Sequence, residues 1–111
     1  MQNALQVVFH GMDHSDALEQ RIYEEFEKLE KFHDNITDGK VTIESPHRHH
    51  RKGRLYDIAI NLSVPGGRLI TRTGGANNPA HEDPGVALSD AFQKITRQLK
   101  EMSDRQHAHR A

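Results

Sequence analysis

The sequence predicts an α+β domain with the element order β-α-β-β-β-α, folded as a two-layer sandwich. Four short segments alternate apolar and polar residues, which is the period of half-buried strands. Two longer segments repeat apolar residues every three or four positions, as amphipathic helices do. Each helix carries a single apolar stripe, so both are expected on one face of a four-stranded sheet. At 111 residues, the chain is long enough for one modest core.

The first strand and the first helix open the chain. Leu5, Val7 and Phe9 alternate with other side chains, which indicates a short strand. Ser15 is a suitable N-cap for a helix over about 16 to 33. The apolar stripe of this helix is predicted to be Leu18, Ile22, Phe26, Leu29 and Phe32 or His33.

Three more strands follow the first helix. Val41 and Ile43 mark the second strand, and Ile58 to Val64 form the clearest alternation in the chain. The sequence PGG at 65–67 predicts a tight hairpin turn into a fourth strand. In that strand, Arg68 and Arg72 are predicted to point away from the core.

The last helix begins at Asp83 and Pro84, a capping residue followed by proline at the first helical position. Apolar residues stepping by four and three predict a helix over roughly 84 to 103; they are Leu88, Phe92, Ile95, Leu99 and Met102. The polar residues after them are predicted to be disordered. We therefore expect one domain over 1–103 and a flexible polar tail over 104–111.

Composition excludes several classes of protein. The chain has no cysteine, which excludes disulfides and thiolate sites and suits a reducing compartment. It has no run of about twenty apolar residues to span a membrane, and its N-terminus does not read as a secretory signal. We expect a cytoplasmic protein without membrane contact.

Charge is unevenly distributed behind a formal net charge of −1. Residues 16–32 carry six acids and three bases, whereas residues 94–111 carry five bases and two acids. Residues 47–54, HRHHRKGR, add four permanent positive charges without an acid. An anionic partner would therefore meet positive patches rather than a uniformly basic surface.

The basic residues of the last helix are predicted to lie on one flank. On a helical wheel, Lys94, Arg97, Gln98 and Arg105 fall away from the apolar stripe, and Lys100 lies further round. Such a row suits phosphate contacts, and Arg68 and Arg72 are candidates to extend it. The same pattern also fits an ordinary solvated helix face with bases near its C-terminus.

Two sets of motifs resemble a known family. One is FEKLEKF at 26–32, followed by the strand DGKVTIE. The other is HED at 81–83, leading into ALSDAFQKITRQLKE at 87–101. Together they resemble the ribosome hibernation-promoting factor and ribosome-associated inhibitor family, also called sigma-54 modulation proteins. The most specific parts are K-L-x-K, which closes the first helix, and K-x-x-R-Q-L-K, which lies in the last helix.

The resemblance implies a fold similar to double-stranded-RNA-binding domains and a protein that is not an enzyme. It implies binding to the small ribosomal subunit between head and body in stationary phase or stress, over the messenger and transfer RNA sites. By position, it implies that ribosomal RNA is faced by Lys28, Lys31, Lys94, Arg97, Gln98 and Lys100. We expect no cofactor, no small-molecule substrate and a monomer off the ribosome.

The chain also departs from the family pattern. Gly85 stands where members usually have tyrosine, and GGANNPA lengthens the preceding loop. The first helix is acidic, and the basic hairpin at 47–54 is unusual in length and charge. The long-form C-terminal dimerisation domain and the inhibitor's acidic tail are missing, so the chain resembles the short promoting-factor type.

Two functions are considered for the basic hairpin: binding a metal ion and contacting phosphate. His47, His49 and His50 lie in a loop beside arginines that repel a divalent cation, so we predict no metal site. Phosphate contact is favoured. The full predicted RNA-binding set is therefore Lys28, Lys31, Arg48, Arg51, Lys52, Arg54, Lys94, Arg97, Gln98, Lys100 and Arg105.

Catalysis has weak candidates only. His10, Asp13 and His14 lie near one turn, and His81 to Asp83 open the last helix, but no nucleophile motif accompanies them. The sequence therefore predicts a ribosome-binding translation inhibitor. The alternative is a stress-associated metal- or protein-binding module with no ribosome contact.

Overall fold

The structure, a computed structural model, describes residues 4–33, 35–45, 56–73 and 83–110. It confirms the predicted class and element order. The elements are β1 (Ala4–His10), α1 (Asp16–Phe32), β2 (Asp38–Glu44), β3 (Asp57–Val64), β4 (Gly67–Arg72) and α2 (Pro84–Arg110).

The four strands form one sheet in the order β1-β2-β3-β4. β1 pairs with β2 in parallel, as a strand–helix–strand connection requires, and β3 is antiparallel to both of its neighbours. Pro65 and Gly66 make the turn between β3 and β4, where Gly66 has a φ of 91°. Proline followed by a residue of positive φ is the combination that a type II turn needs, so the predicted hairpin is confirmed.

The core lies between the helices and one face of the sheet. Along β3 the residues alternate strictly between buried and half-buried, so one face of the sheet is covered and the other is open. Buried side chains from both helices join those of the strands in a single cluster. Its largest fully buried apolar members are Ile22, Ile36, Val41, Ile43, Ile58, Ile60, Leu62, Leu88, Ile95 and Leu99.

Both helix starts have the predicted caps. The backbone N–H of Leu18 donates to Ser15 Oγ at 3.2 Å, which satisfies one free donor of the first turn of α1. At α2, the N–H of Gly85 donates to Asp83 Oδ1 at 2.8 Å. Pro84 is the first residue of the helix, where its missing N–H leaves no bond unmade.

The ends of both helices differ from what the sequence predicted. The apolar stripe of α1 was predicted to end at Phe32 or His33; Phe32 is 81% exposed, whereas His33 is half-buried. The last helix was expected to end near residue 103, but α2 continues to Arg110, and the flexibility expected of residues 104–111 stays a prediction. Residues 103–110 contain no glycine or proline to stop the helix.

Gly39 lets α1 pack closely on the sheet, so Gly39→Ala is expected to destabilise the fold. A Cβ at this position would lie 2.8 Å from Phe26 Cε1 and 3.0 Å from Leu62 Cδ2, both in the core. Overpacking of this kind lowers the free energy of unfolding by about 1–3 kcal/mol. Denaturant unfolding monitored by circular dichroism measures the change.

Gly67→Ala is the matched control, because a Cβ at Gly67 meets nothing within 4 Å. Its free energy of unfolding should stay within about 0.5 kcal/mol of the wild-type value. Equal stability of the two variants would show that Gly39 is not a packing constraint.

Candidate nucleic-acid interface

The two helices run side by side in the same direction. β1, β2 and β4 run in the same direction. α1 follows β1 and α2 follows β4, so each helix returns across the sheet in the opposite direction to these strands. Arg21 Nη2, in the second turn of α1, donates to Ser89 Oγ, in the second turn of α2, at 3.1 Å. This part-buried contact places the second turn of α1 beside the second turn of α2.

Four bases project from the outer side of α2, and we call them the α2 cations: Lys94, Arg97, Lys100 and Arg105. All four are exposed, whereas Gln98, at the margin of the core, is half-buried. Among the described residues none of the α2 cations takes part in a salt bridge. Their charges therefore face solvent without a carboxylate of the described chain bonded to them.

The α2 cations spread across the whole outer surface of the helix. Lys94 lies on the β4 side, where its Nζ is 3.5 Å from the carbonyl oxygen of Arg72. With Lys94 at zero on a helical wheel, Arg97 lies at about 300° and Lys100 at about 240°. Ser89, which contacts α1, lies at about 220°. Lys100 therefore lies on the side of α2 that faces α1, and Arg97 lies between the two sides.

The C-terminal end of α1 adds a second group of exposed residues, Lys28, Lys31 and Phe32. The Nζ of Lys28 lies 3.6 Å from Glu25 Oε2. An exposed ion pair of this kind contributes little free energy, so it does not fix either side chain. Both lysines belong to the predicted set, and both are exposed. Phe32 was not predicted as a site residue.

The other predicted bases divide into two groups. Arg48, Arg51, Lys52 and Arg54 lie outside the described residues, as do the histidines between them, so their role stays a prediction. Arg68 and Arg72 are exposed on the open face of the sheet, as predicted. Arg68 Nη1 donates to Asn61 Oδ1 at 2.8 Å, which holds this guanidinium over β3.

The histidines near the start of α1 have local partners. His14 Nε2 lies 2.6 Å from Glu19 Oε1, and its Nδ1 lies 3.3 Å from Asp16 Oδ1. Within the described residues these three side chains are the group whose ligand atoms approach closely enough for a metal ion. Both imidazole nitrogens already face carboxylates at the helix N-terminus, where acids are favourable, so capping and pairing account for the group.

Of the groups considered for acid–base chemistry, the described ones lie at the surface, and His81 and Glu82 lie outside the described residues. The imidazole of His10 is 70% exposed, and its Nδ1 lies 3.8 Å from Glu44 Oε2. Asp83 serves as the cap of α2. Within the described residues, neither helix combines the length and the apolar character that a bilayer crossing requires.

Sequence reasoning missed Phe32 and Arg21. Phe32 follows Phe26 by six residues, which rotates it by about 240° from that buried ring and out of the stripe. A helical wheel therefore indicates that Phe32 is exposed, although its spacing of three from Leu29 fits the apolar stripe. The contact between Arg21 and Ser89 spans 68 positions and left no local signal.

Comparison with known proteins decides the family. Residues 5–107 match the family described as Sigma 54 modulation protein / S30EA ribosomal protein. The chain belongs to this family. The resemblance noted from K-L-x-K and K-x-x-R-Q-L-K is thus confirmed over nearly the whole length of the chain, although a sequence search of curated proteins gives no match.

Solved structures resemble this member of the S30EA family in fold. A ribosomal subunit interface protein from Coxiella burnetii aligns with a TM-score of 0.72 at 15% identity, over 91% of this chain and 98% of that one. The N-terminal domain of Protein Y from Thermus thermophilus aligns with a TM-score of 0.67 at 16% identity, over 91% and 99%. At these identities the likeness establishes the architecture alone.

The α2 cations are expected to be dispensable for folding. Because Lys94 and Arg97 are exposed and outside the core, Lys94→Gln with Arg97→Gln should change the free energy of unfolding by no more than about 0.5 kcal/mol. Ile95→Ala, between them and fully buried, should lose about 2–5 kcal/mol. Denaturant unfolding compares the two; a large loss in the double variant would show that this flank is structural.

Proposed function

We propose that this protein binds the small ribosomal subunit through ribosomal RNA and inhibits translation in stationary phase or stress. The observation that carries the proposal is the outer surface of the two helices, where exposed bases of α1 and α2 face solvent. Membership of the S30EA family and the fold shared with a ribosomal subunit interface protein support the same conclusion.

The arrangement of the bases favours folded RNA over a small anion. Lys94 and Arg105 are about 16 Å apart along the axis of α2, at 1.5 Å per residue. A single phosphate cannot reach such a span, whereas a folded RNA presents many phosphates at fixed positions. Double-stranded RNA is recognised largely through shape and backbone contacts, which suits a rigid helical surface.

The same proposal includes where the protein docks on the subunit and how it inhibits translation. Docking between the head and body of the small subunit would place the protein over the messenger and transfer RNA sites, so inhibition would be steric and need no catalytic group. The protein would act in the cytoplasm and be a monomer off the ribosome. A metal- or protein-binding module without ribosome contact is the competing class.

Charge reversal on α2 is expected to weaken binding to purified small subunits. In sucrose-gradient co-sedimentation at low salt, wild-type protein should pellet with the subunit and be released at high salt. Arg97→Glu should weaken binding and lower the slope of log K against log salt by about one, because one phosphate contact is lost.

Lys40→Glu is the matched control. Lys40 is exposed on the open face of the sheet, and the substitution makes the same change in charge. It should bind with nearly wild-type affinity. Wild-type protein that stays at the top of a low-salt gradient would contradict ribosome binding, and equal loss in both variants would contradict an interface on the helices.

Steric inhibition makes a separate prediction about competition. Small subunits loaded beforehand with messenger and transfer RNA should bind less of the protein than empty subunits, in proportion to their loading. Filter binding with labelled protein measures this. Undiminished binding to fully loaded subunits would leave ribosome binding intact and exclude blockage of those sites.

A further inference from the structure

Phe32 is an exposed aromatic side chain at the margin of the proposed interface. It is the last residue of α1 and is 81% exposed, the most exposed of the large apolar side chains described. Leaving an aromatic ring in water forgoes the stabilisation that burial provides. In the folded chain the ring is therefore free to act in binding a partner.

Two bases lie near this ring on the helix surface. Lys28 precedes Phe32 by four residues, so these two side chains are neighbours, and Lys31 follows Lys28 by three residues on the other side of it. All three are exposed, and Lys28 keeps 69% of its side chain in solvent. The end of α1 thus presents an apolar ring with two positive charges on one side of it.

Lys28 and Phe32 lie on the side of α1 that faces α2. With Lys28 at zero on a helical wheel, Phe32 lies at about 40° and Arg21, which contacts Ser89, at about 20°. Buried Phe26 and Leu29 lie at about 160° and 100°. Phe32 therefore points between the core and the solvent, toward the groove between the helices.

Counting residues along the two helices predicts that Lys100 lies across this groove from Phe32. The helices are parallel, and Arg21 lies beside Gly85 and Ser89. Advancing eleven residues from Arg21 to Phe32 corresponds on α2 to about residues 96–100 at equal rise. Lys100 is exposed on the side of α2 that faces α1, so a ligand on Phe32 would also meet a base from the second helix.

We propose that Phe32 is a stacking platform for an unpaired base of the bound RNA, with Lys28, Lys31 and Lys100 contacting the phosphates beside it. This inference rests on the proposed function and names the chemistry recognised at one end of the interface. Aromatic side chains bind unstacked bases in this way, and neighbouring bases supply the backbone contacts. A protein partner would bury an apolar patch, whereas here a single ring is bordered by lysines, which favours RNA.

Affinity measurements on Phe32 variants test the stack. In co-sedimentation with purified small subunits, Phe32→Ala and Phe32→Leu should each weaken binding about 5- to 100-fold, the range expected for the loss of one stacked base. Phe32→Tyr, which keeps the ring, should bind within about twofold of wild type. All three should unfold at the wild-type temperature because the side chain is outside the core.

Fluorescence gives a readout that a general loss of affinity would not. The chain has no tryptophan, so Phe32→Trp introduces a single reporter. Its emission should be quenched when small subunits are added, as expected of an indole stacked on a nucleobase. Tyr23→Trp, 41% exposed on the side of α1 away from α2, is the matched reporter and should not change.

The outcomes separate this inference from the proposed function. Wild-type affinity in both Phe32→Ala and Phe32→Leu would overturn the stack while leaving ribosome binding intact. A brighter, blue-shifted emission at position 32 would indicate burial against protein and would also overturn it. If wild-type protein does not pellet with the subunit, the proposed function fails, and this inference fails with it.

Discussion

One-sided packing of the sheet is the constraint on which the rest of the structure depends. The inward side chains of the strands bury against the same two helices, and each buried aliphatic residue contributes about 1.5–3 kcal/mol. A helix can bury only a limited stripe, so the opposite surfaces of both helices must face solvent. Because the helices lie side by side, these surfaces together form one broad face.

The charge pattern of α1 follows from its local structure. Asp16 and Glu19 lie in its first turn, where they oppose the helix dipole and contact His14. Lys31 lies in the last turn, where positive charge is favourable. The other four acids, Glu24, Glu25, Glu27 and Glu30, lie in the C-terminal half with Lys28 and Lys31. Positive charge at this end of α1 is therefore local to these two lysines, and the larger share of the basic interface comes from α2.

The sequence predicted the elements well because each has its own period. The alternation from Ile58 to Val64 and the steps from Leu88 to Leu99 report directly which side is buried, and the structure buries those sides. The end of α2 could not be found in this way, since Met102 is the last residue of the predicted apolar stripe. Phe32 was misplaced because it lies about 240° round the helix from buried Phe26, a rotation that the spacings of three and four concealed.

The candidate site was predictable in composition but not in geometry. The wheel placed Lys94 and Arg97 on a solvent-facing flank, and the structure exposes both. How the two helices align depends on Arg21 and Ser89, a contact between distant positions that no local pattern encodes. Arg48 and its neighbours lie outside the described residues, so their role stays a prediction.

The spacing of the bases determines how binding must work. Each α2 cation is solvated, so a single contact with phosphate gains little after desolvation and ordering of a long side chain. Affinity then requires several contacts made at once by a partner whose phosphates are already held in position, as in folded RNA. Release of counterions makes such binding steeply dependent on salt. An aromatic contact at Phe32 differs in kind, because stacking depends less on ionic strength than charge contacts do. Phe32 would therefore retain its share of the binding energy under conditions that weaken the lysines and arginines.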